Sequence, residues 1–260
     1  MLAPVTSPEQ AHEGSELVRL ASADNFRDVA GDGYRTTDGA TLRTGVLFRS
    51  NELRLSDDDV AHLRERGLVD IFDLRGQGEI DEHPDMEVPG ATWHHLEVAG
   101  IPMEAVADLQ SAEQSEAVMR SVYRAFVERE GARAAFGELL RRVAHGTGPQ
   151  VFHCTAGKDR TGWSAALVLR LCGVPEETVL ADYLLTNRFD GTRTKYLGLV
   201  REHLGEDMVG VYEAVMVADA GYLAEADTAV AERYGDLSAY VRDGLGLGDD
   251  DVAALRARLR

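Results

Sequence analysis

One cysteine, one lysine, one aspartate and one arginine crowd into the stretch HCTAGKDRTG, His153 to Gly162. It follows the apolar run QVF and precedes WSAALVLRLCGV, so it reads as a strand, a glycine-containing loop and a helix. In that order, the loop's backbone N–H groups and the helix N-terminus converge on one point, which makes an anion site. A cysteine facing that point has its thiolate stabilised by the same field and becomes a nucleophile aimed at the bound anion. Thr155, Ala156 and Gly157 would supply N–H donors. Arg160 can grip two phosphoryl oxygens at once, and Lys158 adds a point charge. The chemistry these residues support is nucleophilic displacement at phosphorus. A rival reading makes Cys154 a core residue at a strand end and Lys158 and Arg160 a solvated turn. It accounts for the cysteine–arginine spacing alone, but not for the ordered series of strand, His-Cys, glycine, charged triplet, Thr-Gly and apolar helix.

A sheet must hold such a loop in place, and the sequence supplies one. Short β-type runs occur at LVRL from Leu17 and at GVLFRS ending at Ser50, with turn signals at Asp32-Gly33 and Asp38-Gly39. LSDDDVAHLRERG predicts a helix with Ser56 as N-cap, three aspartates in a first turn favoured by the helix dipole, and a stop at Gly67. LVDIFDLR and ATWHHLEV are further strands. A long helical pattern from about Glu113 to Ala144 leads into QVFHC, and a helix is entered at Thr161-Gly162 and stopped by Gly173 and Pro175. Strands alternating with helices predict an α/β fold, a largely parallel central sheet flanked by helices, with an almost wholly helical part after Thr161. No repeat or linker divides residues 1–260, so one domain is expected, with residues 1–16 as a loose lead-in.

In its residues HCTAGKDRTG the loop resembles the HC-x5-R-T/S signature of cysteine-dependent phosphatases, and its Lys-Asp-Arg ending resembles the atypical bacterial protein tyrosine phosphatases. NFRDVAG at Asn25, LFRSNEL at Leu47, DLRGQGE at Asp73 and the C-terminal YGDLSAYVRDGLGL are similar to that group's pattern, so the likeness runs from about residue 20 to the end. It implies a two-step hydrolysis without metal or organic cofactor. Cys154 forms a cysteinyl-phosphate, Arg160 stabilises the equatorial oxygens, His153 supports the loop and Thr161 donates to the thiolate. It also implies a helical lid near residues 190–223. There the apolar faces break around Gly205, and Met208, Val209, Tyr212 and Met216 fit either an inner lid face or core packing.

Asp159, between the two cations, is the odd residue in a site meant for a dianion. Ionised it would weaken binding; protonated it holds the proton a leaving group needs. In the resembling group the matching aspartate has been proposed as the general acid, which carries the role to Asp159. An ion pair that merely shapes the loop is the alternative. The Trp-Pro-Asp acid loop of typical tyrosine phosphatases is absent here. Asp108, the only aspartate in EVAGIPMEAVADLQ, is therefore the next candidate, and Asp73 the third.

The whole chain sets the remaining bounds. Its 260 residues are 44% hydrophobic, enough for a sizeable core. Lysines and arginines number 27 against 45 aspartates and glutamates, a net charge of −18 that repels nucleic acid and anionic membranes. No long apolar span or basic-apolar leader is read, so a soluble, unprocessed, cytoplasmic protein is expected, although secretion without a leader would read the same. Cys154 and Cys172 are separated by a helix rising ~1.5 Å per residue, which forbids a bridge. His94 and His95 face opposite sides of a strand and complete no metal set. Arg27, Arg49 and Arg75 either face the loop or pair with Asp28, Glu52 and Glu79. The expected substrates are phosphotyrosine proteins or small phosphomonoesters, with inorganic phosphate as product. Dual specificity and phosphoinositides are variants, the latter because Lys158 resembles the extra loop lysine of lipid phosphatases. A non-catalytic phosphate-binding module and a sulfurtransferase are the rivals from other classes.

Overall fold

In a computed structural model of the protein, residues 19–189 and 191–260 are described, without the side chains of Met103 and Thr192. The expected lead-in at 1–16 lies outside the described residues. Five strands form one sheet in the order β1-β2-β5-β3-β4: β1 Arg27–Asp28, β2 Leu47–Ser50, β3 Asp70–Asp73, β4 Thr92–His95 and β5 Gln150–His153. Only the β1–β2 pair is antiparallel; β2, β5, β3 and β4 run parallel. The α/β expectation therefore holds. The LVRL run does not: its described residues, Arg19 and Leu20, are in no strand.

β5 lies between two parallel neighbours, which explains why it reads as an apolar run instead of an alternating one. Its register places Val151 beside Phe48 and Ile71 on one face, and these join Leu63 in a core beneath α1, Asp57–Glu65. Phe152 and Phe72 enter the larger core on the opposite face. Ser56 caps α1 by accepting from the Asp59 N–H, as the sequence predicts.

After α2 (Gln77–Glu82) and α3 (Met103–Ala107), the long helical pattern resolves into two helices, α4 Ala112–Glu128 and α5 Glu130–His145. Arg129 between them is extended, at φ −80° and ψ 130°. No proline marks the break, and the nearest glycine, Gly131, lies in the first turn of α5. Arg133 Nη1 instead donates to the carbonyls of Val127 and Glu128, satisfying the end of α4.

α6 starts at Asp159 and not at Thr161, and runs to Leu171. The start lies two residues earlier than the sequence predicts because Asp159 in the first turn is favoured by the helix dipole. α6 is buried almost throughout, as an apolar helix should be. α7 (Glu176–Leu185), α8 (Gly191–Leu204), α9 (Glu206–Met216) and α10 (Ala220–Tyr234) follow, and a last helix spans Asp249–Leu259. α9 and α10 both pack against α4. No helix among the described residues is long and apolar enough to cross a membrane.

Candidate active site

Cys154 is the first residue past β5 and is only 2% exposed, at the carboxyl end of the parallel strands where α/β sheets open their binding crevices. The loop after it is shaped by its carbonyls. That of Thr155 accepts from the Glu52 N–H at 3.0 Å, those of Ala156 and Gly157 from Asn25 Nδ2 at 3.0 and 3.1 Å, and that of Gly157 also from Arg49 Nη2 at 3.0 Å. Drawing the carbonyls outward leaves the loop's N–H groups to face its interior. Gly157 makes this approach feasible. Its φ is +67°, and a Cβ there would lie 2.7 Å from Asn25 Nδ2, Asn51 N and Ser50 O.

The stretches NFRD, LFRSN and DLR owe their place to this buttress. Arg27 and Arg49 do not pair with Asp28 and Glu52 as the sequence suggested; both reach Asp182 of α7, at 3.4 and 2.6 Å. Burial, and then the charge of Arg49, depress the Arg27 guanidinium to about 10. Arg75 does not take Glu79. It binds Asp73 and Asp85, each at 2.8 Å, with Glu52 further off at 3.6 Å. The reason is topological: β3 and β5 end side by side, which brings these groups under His153. His153 Nε2 lies 2.9 Å from Asp85, and its Nδ1 is 3.4 Å from the Cys154 carbonyl oxygen. Among the described residues Asp73, Asp85 and His153 are close enough to share an ion. The Arg75 guanidinium already bonds both carboxylates, so the protein itself supplies the positive charge there. His94 bonds Asp70 and His95 bonds the Arg75 carbonyl, both at 2.8 Å, as structural residues.

Arg160 is buried, and its fork is held by Glu79, which the sequence had suggested as a partner for Arg75. Glu79 accepts from Nη1 and Nη2 at 2.7 Å each, and Thr155 Oγ1 donates to the same carboxylate. Burial disfavours the Glu79 charge, but these donors outweigh it and hold the carboxyl at about 2. Arg160 shows the same balance. Desolvation opposes its charge, and the Glu79 hydrogen bond with the charges of Cys154, Glu79 and Asp159 keeps its pKa above the ordinary value. A signal for Glu79 existed: it stands three residues after Gly76 and bonds back to the Gly76 N–H at 2.9 Å, a capping-box spacing.

Lys158 is also buried. Its ammonium donates to the carbonyls of Val215 and Val217 at the end of α9 and stands 3.4 Å from Asp159 Oδ1. Thr161 Oγ1 is buried with no hydrogen-bond partner among the described residues, so the expected bond to the thiolate is not made here. Asp159 accepts from Tyr123 Oη at 3.0 Å. Tyr123 carried no sequence signal, because only the tertiary structure brings α4 within hydrogen-bond distance of Asp159, 36 residues on in the chain.

These residues open into a cavity of about 670 Å³. Cys154, Lys158, Asp159 and Arg160 line it together with Thr155 and Ala156, and Ile101, Phe126, Phe189, Tyr196 and Met216 make much of its apolar wall. Asp108 is exposed as the C-cap of α3 and is not among the lining residues, and Asp73 is fully buried beneath Arg75. Of the four residues expected on a lid's inner face, Met216 lines the cavity. Tyr212 instead bonds the Val106 carbonyl at 3.0 Å.

Comparison with known proteins agrees with the geometry. The tyrosine phosphatase family model matches residues 18–260. Triple specificity protein phosphatase PtpB of Mycobacterium tuberculosis is 32% identical over 282 residues, covering 92% of this chain and 98% of that protein. A putative tyrosine-protein phosphatase of Cupriavidus necator is 31% identical over 271 residues, covering 98% of this chain and 91% of its own length. Among solved structures, P. aeruginosa TpbA aligns at 19% identity over 82% of this chain and 85% of its own, with a TM-score of 0.31.

Proposed function

The chain belongs to the tyrosine phosphatase family, and on that premise we propose that it hydrolyses aryl phosphomonoesters, phosphotyrosine first, through a phosphocysteine intermediate on Cys154. The observation that carries the proposal is the shared cavity: Cys154, Arg160 and Asp159 line the same space, with aromatic and aliphatic walls suited to a phenyl ring. The Cys154 thiolate attacks phosphorus as the P–O bond to the phenol breaks. The leaving oxygen keeps the bonding electrons and takes a proton from Asp159. Water then attacks the cysteinyl-phosphate, the P–S bond breaks, the thiolate returns, and the water's proton goes to Asp159 as inorganic phosphate leaves. Arg160 stabilises the equatorial oxygens in both steps, with Glu79 fixing the plane of its guanidinium. The phosphate is held by residues 155–160 and needs no cofactor in this scheme. Residues 1–260 act as one phosphatase domain, α8 and α9 border the cavity as its lid, and a thiol nucleophile suits a reducing, cytoplasmic setting.

Turnover of a phosphotyrosine peptide is the test. Cys154→Ser should abolish it while vanadate binding survives, and acid quenching of the wild type should trap a phosphoenzyme. Wild-type-like rates in Cys154→Ser would overturn the proposal. Cys172→Ser should be nearly silent, since burial pushes that thiol up to about 12 and it lies in the core. The "triple specificity" in the name of the mycobacterial relative is the reason to assay phosphoserine, phosphothreonine and phosphoinositide substrates in parallel.

A further inference from the structure

Behind Asp159 stands a pair of phenols that the proposed chemistry does not itself use. Tyr123 of α4 donates its hydroxyl proton to Asp159 Oδ1 at 3.0 Å, and its oxygen is 2.7 Å from that of Tyr183 on α7. Each phenol has one proton. With the Tyr123 proton directed at the carboxylate, the Tyr183 proton must point to the Tyr123 oxygen, and the chain runs one way, Tyr183 to Tyr123 to Asp159. Both tyrosines are about 1% exposed or less, and neither lines the cavity. Their rings are fixed by packing. They meet edge to face at 6.3 Å and 84°, while Phe126 and Tyr222 flank Tyr123 at 5.2 and 6.0 Å. Gly162 of α6 completes the fit, because a Cβ there would come within 2.9 Å of the Tyr183 ring.

We propose that Tyr123, oriented by Tyr183, is a positioning residue for the acid step: it occupies Asp159 Oδ1 and so commits the transferable proton to Oδ2. This rests on the reading of Asp159 as the acid. Lys158 supports the same division, since its ammonium also approaches Oδ1, at 3.4 Å. A carboxyl whose Oδ1 accepts from a buried donor is biased to carry its proton on the other oxygen, because the carbonyl oxygen is the better acceptor, and that oxygen is the one left for the substrate. Without Tyr123 the carboxyl is free to rotate, and only part of its population presents the proton to the leaving oxygen.

The experiment measures kcat and KM across substituted phenyl phosphates for wild type, Tyr123→Phe, Tyr183→Phe, Asp159→Asn and the Tyr123→Phe/Asp159→Asn double variant. Phenylalanine keeps the rings and their packing. Tyr123→Phe should lower kcat about tenfold for the most basic phenols, leave the most acidic ones unaffected and hold KM steady. Tyr183→Phe should show a smaller defect of the same kind, and the double variant should match Asp159→Asn alone. A Tyr123→Phe defect equal for all leaving groups, or one that multiplies with Asp159→Asn, would overturn the inference while leaving the acid in place. An Asp159→Asn profile without leaving-group dependence would overturn the acid assignment, and this inference with it.

Discussion

Arg160 and Lys158 carry the same charge, three residues and one residue past Gly157, yet they are held by different partners and should fail differently. Arg160→Lys keeps the charge but loses the planar fork, so kcat should fall by on the order of 10²-fold with KM less affected. Lys158→Ala leaves the carbonyls at the end of α9 without their donor, a loss of about 1–3 kcal/mol, and the melting temperature should drop by several degrees. Steady-state kinetics and thermal melts on both variants check this; an unchanged melting temperature in Lys158→Ala would show that the α9 anchor contributes nothing. Glu79 makes a pH-dependent contribution. Its carboxyl falls from an ordinary 4.5 to about 2 on folding, so the stability it adds is complete above about 4.5 and is lost as pH falls toward 2. Glu79→Gln should therefore be less stable than wild type at pH 7, and the gap should close as the pH of denaturant titrations is lowered through that window. A gap independent of pH would mean that the Arg160 pair is not what shifts Glu79.

The loop depends on elements that approach it at close range, and Gly157 is where that approach is tightest. β2 and its following residues lie against it, so Gly157→Ala meets both a left-handed backbone conformation and contacts of 2.7 Å. The backbone strain alone is worth about 1–3 kcal/mol, and the displaced carbonyls would turn the N–H groups away from the phosphate position. We expect weaker vanadate binding and a lower melting temperature together, read by calorimetry on the one variant. Loss of stability with binding intact would place the strain outside the anion site. The break at Arg129 works at the same level. It lets α4 pack on α9 and α10 while α5 packs on the last helix, and α4 delivers Tyr123 and Phe126 to the site.

With a net charge of −18, the molecule repels a dianionic substrate until the local cations of the loop take over. Raising ionic strength from 0.01 to 0.15 M shortens the screening length from about 30 to about 8 Å, so KM for a phosphopeptide should fall over that range. A rise would show that the exposed cations near the mouth, not the overall charge, govern encounter. The loop, the parallel sheet and the buried α6 were legible in the sequence, because each depends on neighbours in the chain: periodicity, capping and the order of residues 153–162. The loop's partners were not. Glu79 on Arg160, Asp182 between Arg27 and Arg49, and Tyr123 on Asp159 come from elements far apart in sequence, and nothing local distinguishes Asp182 from the other acidic residues or Tyr123 from a core tyrosine. Local sequence determined which residues could do chemistry, since backbone conformation and residue type act over a few positions. Only tertiary packing decided which charge each of them faces, because a buried ion pair is chosen by the neighbours that the fold brings within hydrogen-bond distance.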